Sequence, residues 1–79
     1  TYVRALKRHR QMREAAIFDR LIAGDRTIPE IVAAIYADTP RQLHRAAGLS
    51  VLAHLEDLVA SGQAISNGPP VVDGRYEPA

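Results

Sequence analysis

Where this chain cannot be helical constrains it more than any other feature. Gly24, Pro29, Pro40, Gly62 and the run Asn67-Gly68-Pro69-Pro70 cut its 79 residues into segments of unequal length. Glycine ends helices in a left-handed cap, and proline is accepted only in a helix's first turn. Three uninterrupted stretches remain before Gly62, and only short ones after it.

The first stretch, from about Val3 to Ala23, predicts a helix. With successive residues ~100° apart, Ile17, Phe18, Leu21 and Ile22 fall on one stripe, which Glu14 and Arg10 continue toward the N-terminus. The second half is therefore amphipathic and buries its stripe, and Gly24 suits a left-handed cap. Thr27-Ile28 has the residue types of a short strand. Thr27-x-x-Glu30 is also a capping box, opening a second helix near Pro29 that runs to about Tyr36. Its buried side is Ile31, Val32, Ile35 and Tyr36. Thr39-Pro40-Arg41-Gln42 repeats the capping-box pattern and opens a third helix reaching about Ala60. There Ala47, Gly48, Val51, Leu55, Leu58 and Val59 share a face. Gly48 in mid-helix costs ~1 kcal/mol relative to Ala, so it serves close packing or marks a break.

Beyond Gly62, Gln63-Ala64-Ile65-Ser66 and Val72-Asp73-Gly74-Arg75-Tyr76-Glu77 tolerate strand, and the Asn-Gly-Pro-Pro run between them reads as a turn. The order is helix, short strand, helix, helix, hairpin. That is a winged helix, mainly α with a small β-hairpin (α+β).

The length allows one domain, and a chain this short buries only roughly 60–65% of its unfolded surface. With 47% apolar and 24% charged residues it is a folded chain, not a disordered one. Cysteine is absent, which excludes disulfides and thiolate metal sites. No apolar run approaches the ~18 residues of a membrane span, and no signal peptide is visible. A reducing, cytoplasmic setting fits these features. The chain opens on Thr1, as a segment of a longer protein would.

The formal net charge of +1 hides an asymmetry. Residues 1–13 carry Arg4, Lys7, Arg8, Arg10 and Arg13 and no acid, whereas 14–79 carry five Arg against nine acids. This separates a basic N-terminal half of the first helix, 1–13, from a winged-helix domain, 14–79. The basic half is either a solvated face or a surface meeting something acidic, such as a phosphate backbone or a partner protein. Its charge keeps it out of a core, and it reads as the junction to an upstream domain.

Catalytic chemistry finds little support. His9, His44 and His54 have no metal-ligand spacing, and no nucleophile elbow or phosphate-cradling loop is present. Ser50, His54 and Asp57 share a helix, but such sets arise by chance, and helix-capping or surface roles account for each. Nucleic-acid binding has Arg41, Gln42 and Arg45 at the start of the third helix, Arg8 on the first, and only Arg75 and Asn67 on the wing. Against it, the exposed side of the third helix carries Glu56, Asp57 and an apolar strip of Ala46, Leu49 and Ala53. A base-reading face would carry more Arg, Lys, Asn and Gln. Leu49 and its Ala neighbours suit a protein contact, a homodimer among them.

His9-Arg10-Gln11-Met12-Arg13-Glu14 with Ile17, then Thr27-Ile28-Pro29-Glu30-Ile31, resembles the C-terminal winged-helix domain of metallo-β-lactamase-fold hydrolases, the glyoxalase-II-like group, some of which cleave RNA. Val51-Leu52-Ala53-His54-Leu55-Glu56-Asp57-Leu58 before Gly62, and Asp73-Gly74-Arg75-Tyr76, extend the resemblance over nearly the whole chain. It implies a non-catalytic accessory domain that packs on an N-terminal metallo-β-lactamase-fold catalytic domain and shapes substrate access. The zinc of that family belongs to the catalytic domain; its His-x-His-x-Asp-His motif is absent here, so no catalytic, metal or cofactor role passes to this chain. The resemblance places His9, Arg10, Arg13 and Glu14 at the domain junction. There they hold a substrate phosphate or carboxylate, or Arg10 and Glu14 pair across one helical turn to prop the junction. A nucleic-acid-binding winged helix, gripping RNA or DNA, is the alternative function.

Overall fold

The computed structural model describes the backbone from Tyr2 to Ala79 and the side chains from Arg8 onward. Thr1, and the Arg4 and Lys7 side chains of the basic stretch, lie outside the described residues. Helix α1 spans Tyr2–Ala23, α2 Ile28–Ile35 and α3 His44–Ala60, preceded by a 3-10 turn over Arg41–Leu43. Strands β1, Ala64–Ser66, and β2, Tyr76–Pro78, form an antiparallel hairpin with Ile65 opposite Glu77. This is the winged-helix order. No described helix is long and apolar enough to cross a membrane.

Both glycine stops work as their positions require. Gly24 has φ +117°, its N–H donates to Leu21 C=O, and Asp25 N–H donates to Arg20 C=O. Gly62 repeats the arrangement at φ +80°, with Gly62 N–H to Val59 C=O and Gln63 N–H to Leu58 C=O. Each left-handed residue thereby satisfies carbonyls that the helix end leaves open. Beyond α1, the turn is braced by Arg20, whose Nε lies 2.8 Å from Asp25 Oδ2.

The Thr27–Glu30 capping box forms in full. Glu30 N–H donates to Thr27 Oγ1, and Glu30 Oε1 accepts from the Thr27 and Arg26 N–H groups. Those bonds to its charged form hold the Glu30 carboxyl below its ordinary range, the Arg26 contact contributing most. The strand expected at Thr27-Ile28 contracts to one bridge, Thr27 to Arg75. Thr27 thus ties the wing to the start of α2.

The second capping box does not form. Pro40 takes an extended ψ of 140° and makes no side-chain cap, and the first turn is 3-10. The His44 ring instead donates through Nε2 to the Thr39 carbonyl at 2.9 Å. Gly48 does not break α3; it is buried, and a Cβ there would meet Ile28 Cγ2 at 3.4 Å, so the close-packing role holds.

The core is Ile17 and Leu21 of α1, Ile28, Ile31 and Val32 of α2, Val51, Leu55 and Leu58 of α3, and Tyr76 of the wing. The expected stripe on α1 narrows, because Ile22 is 61% exposed. On α3 the buried face includes His54, and Val59 is only partly covered. The second strand begins at Tyr76, not Val72, because the Tyr76 side chain folds back on its own loop. Its hydroxyl donates to Val71 C=O at 2.6 Å and accepts from Val71 N–H at 2.9 Å, which holds 71–74 as a turn. Burial pushes the Tyr76 phenol above its ordinary range.

Candidate functional site

The basic motif on α1 folds against α3 and the end of α2. Arg10, Arg13 and Glu14 are three and four residues apart, so they share one side of the helix. Arg13 holds its guanidinium carbon 4.8 Å from the centroid of the Tyr36 ring, a cation–π distance. Arg10 Nη2 lies 3.5 Å from Asp57 Oδ2, and Glu14 Oε1 lies 3.1 Å from His54 Nδ1. The Arg10–Glu14 pair allowed by the sequence is replaced by two cross-helix pairs, because α3 brings opposite partners within reach of each.

Between these contacts runs an open groove of about 400 Å³, lined by His9, Arg10, Arg13, Tyr36, Ser50 and His54. Arg8, His9 and Arg10 are exposed, while Arg13 and Glu14 are half-buried. The groove's lining carries two guanidiniums, two imidazoles and two hydroxyls, a set suited to holding an anionic group. Glu14 is set back from this lining and acts through His54.

The Ser50–His54–Asp57 set is not assembled. His54 turns Nδ1 to Glu14 on another helix, and Asp57 is engaged by Arg10. His54 is 6% exposed, so the surface or capping role expected of it gives way to a buried interhelical one. Its position, three after Val51 and four before Leu58, was the available signal for that burial. His44, by contrast, does close a helix start. Among the described residues no three His, Cys, Asp or Glu side chains gather to hold a metal.

Arg41 in the 3-10 turn and Arg45 on α3, the nucleic-acid candidates, are exposed and line a different groove with Ile28, Val32 and Val72. Leu49 is 57% exposed beside exposed Ala46 and Ala53, as the wheel predicts. Sequence reasoning missed Tyr36 and His54 as site residues: it placed Tyr36 only in the core of α2 and His54 on the surface.

The family model for the beta-lactamase associated winged helix domain matches residues 27–70, from the capping box to the wing turn. The chain belongs to that family. Its match covers α2, α3, β1 and every lining residue of the second groove except Val72, whereas His9, Arg10, Arg13 and Glu14 on α1 lie ahead of it. A beta-lactamase associated winged helix domain is linked to proteins of the beta-lactamase fold. No solved structure matches the chain.

Proposed function

We propose that this domain is the non-catalytic accessory part of a zinc-dependent β-lactamase-fold hydrolase, packing on the catalytic domain and shaping access to its substrate. The observation that carries the reading is the groove on the α1–α3 face. Its basic side chains, Arg10 and Arg13 with His9 beside them, come from a single helix, and Tyr36, Ser50 and His54 back them from two other parts of the fold. The half-buried Glu14–His54 pair, with the more exposed Arg10–Asp57 pair one turn along, joins that helix to α3. Family membership supports the hydrolase as the setting.

The test is Arg13→Ala in a full-length β-lactamase-fold protein carrying this domain. The account expects KM to rise by about tenfold, with metal content unchanged and kcat little altered. Unchanged KM and unchanged thermal stability together would refute a junction role for Arg13.

A second reading has one observation in its favour: Arg41 and Arg45 stand exposed at the start of α3, where a winged helix meets a duplex. It requires binding to duplex DNA or single-stranded RNA that weakens steeply with salt, with a shallower slope when Arg8, Arg41 or Arg45 is neutralised. No binding to either at low salt removes it.

A further inference from the structure

One side of α2, the 3-10 turn with the start of α3, and the wing border an open groove of about 520 Å³, larger than the one on the α1 face. Its walls are apolar: Ile28, Val32 and Ala33 from α2, and Val72 from the wing. Gly48 keeps the α3 side open, since any longer side chain there would grow toward Ile28. Charge enters through Arg41 and Arg45, and no carboxylate lines the groove. Among the described residues neither guanidinium has an ion-pair partner. The third polar lining group, His44, is already bonded to the Thr39 carbonyl.

These features select an occupant. A phosphodiester backbone would use the arginines and leave the apolar wall wet. A neutral hydrocarbon would use the wall and leave two cations idle. An aliphatic chain ending in a carboxylate uses both, and small-ligand sites commonly pair an apolar lining of this size with a few placed charges. Planar guanidiniums match a carboxylate's two oxygens, which fixes the head while the chain lies along α2. We propose that this groove binds an amphiphilic carboxylate, its head at Arg41 and Arg45 and its chain over Ile28, Val32 and Gly48.

The test is an NMR titration of the chain with hexanoate, octanoate and decanoate, alongside decanol, inorganic phosphate and a short DNA duplex. Saturable shifts are expected at Ile28, Val32 and Gly48, tightening by up to about fifteenfold for each two-carbon step. Arg41→Ala and Arg45→Ala should each weaken decanoate about tenfold and leave decanol unchanged. Both positions are exposed, so the fold survives the change. Ala33→Leu, also on an exposed position, fills the groove and should abolish decanoate binding with the helical signal intact. The proposal is overturned if phosphate or DNA moves these residues as strongly as decanoate. It is equally overturned by affinity that ignores chain length, or by no saturable shift below roughly 10 mM.

Discussion

His54 on α3 directs Nδ1 to Glu14 on α1 at 3.1 Å, joining two residues 40 positions apart across the α1–α3 contact. The imidazole side chain is 8% exposed and the carboxylate 30%, so removing Glu14 leaves the His54 donor shielded from water, whereas Glu14 keeps part of its hydration without His54. A carboxylate only accepts, which assigns the proton to Nδ1. His54→Ala and Glu14→Ala should each cost about 1–3 kcal/mol in denaturant unfolding. The double variant should fall short of their sum by at least ~0.5 kcal/mol. Arg10–Asp57, one turn along, is 66% and 54% exposed. Asp57→Asn should therefore cost under ~1 kcal/mol. Equal losses at the two pairs would contradict this ranking.

Acid should weaken the domain through Glu30. Its folded pKa lies below the ordinary value, so the stability it contributes is complete above the usual carboxylate range. It is lost as the pH falls through the lowered folded value. Glu30→Gln keeps an acceptor for the capping box and removes the titration. Wild type should exceed Glu30→Gln in stability near pH 7, and the gap should close toward pH ~2. A gap independent of pH would show that the charge of Glu30 is immaterial.

The wing depends on the Tyr76 hydroxyl. Tyr76→Phe removes both bonds to Val71 and should cost about 1–2 kcal/mol, the lower end because Val71 is partly open to water. The phenol's pKa is raised, so its contribution is complete below the ordinary tyrosine range and is lost as the pH rises through the folded value. The difference between wild type and Tyr76→Phe should accordingly shrink above pH ~10. NMR shifts confined to 71–76 would mark the effect as local to the wing.

What the sequence made legible was local. Gly24 and Gly62 announce their caps because few other residues adopt positive φ, and Thr27 with Glu30 specifies a box whose partners are three residues apart. The same pattern at Thr39 misled, since it carries no record of the His44 ring that reaches back to the Thr39 carbonyl. Ile22 sits beside Leu21 on a helical wheel, yet α2, α3 and β2 cover only one side of α1. The site was half legible. Basic residues on one helix face can be counted from spacing, but their partners Tyr36, His54 and Asp57 come from distant parts of the chain. Periodicity says which face is buried, not what it meets.

The central claim is that the face bearing His9, Arg10 and Arg13 packs against the β-lactamase-fold domain. Hydrogen exchange compared between this chain alone and the full-length protein tests it most directly. The account predicts slower exchange in the full-length protein for amides 8–14 and around Ser50, with the wing unchanged. Identical exchange at 8–14 in the two forms, with protection appearing elsewhere, would contradict it.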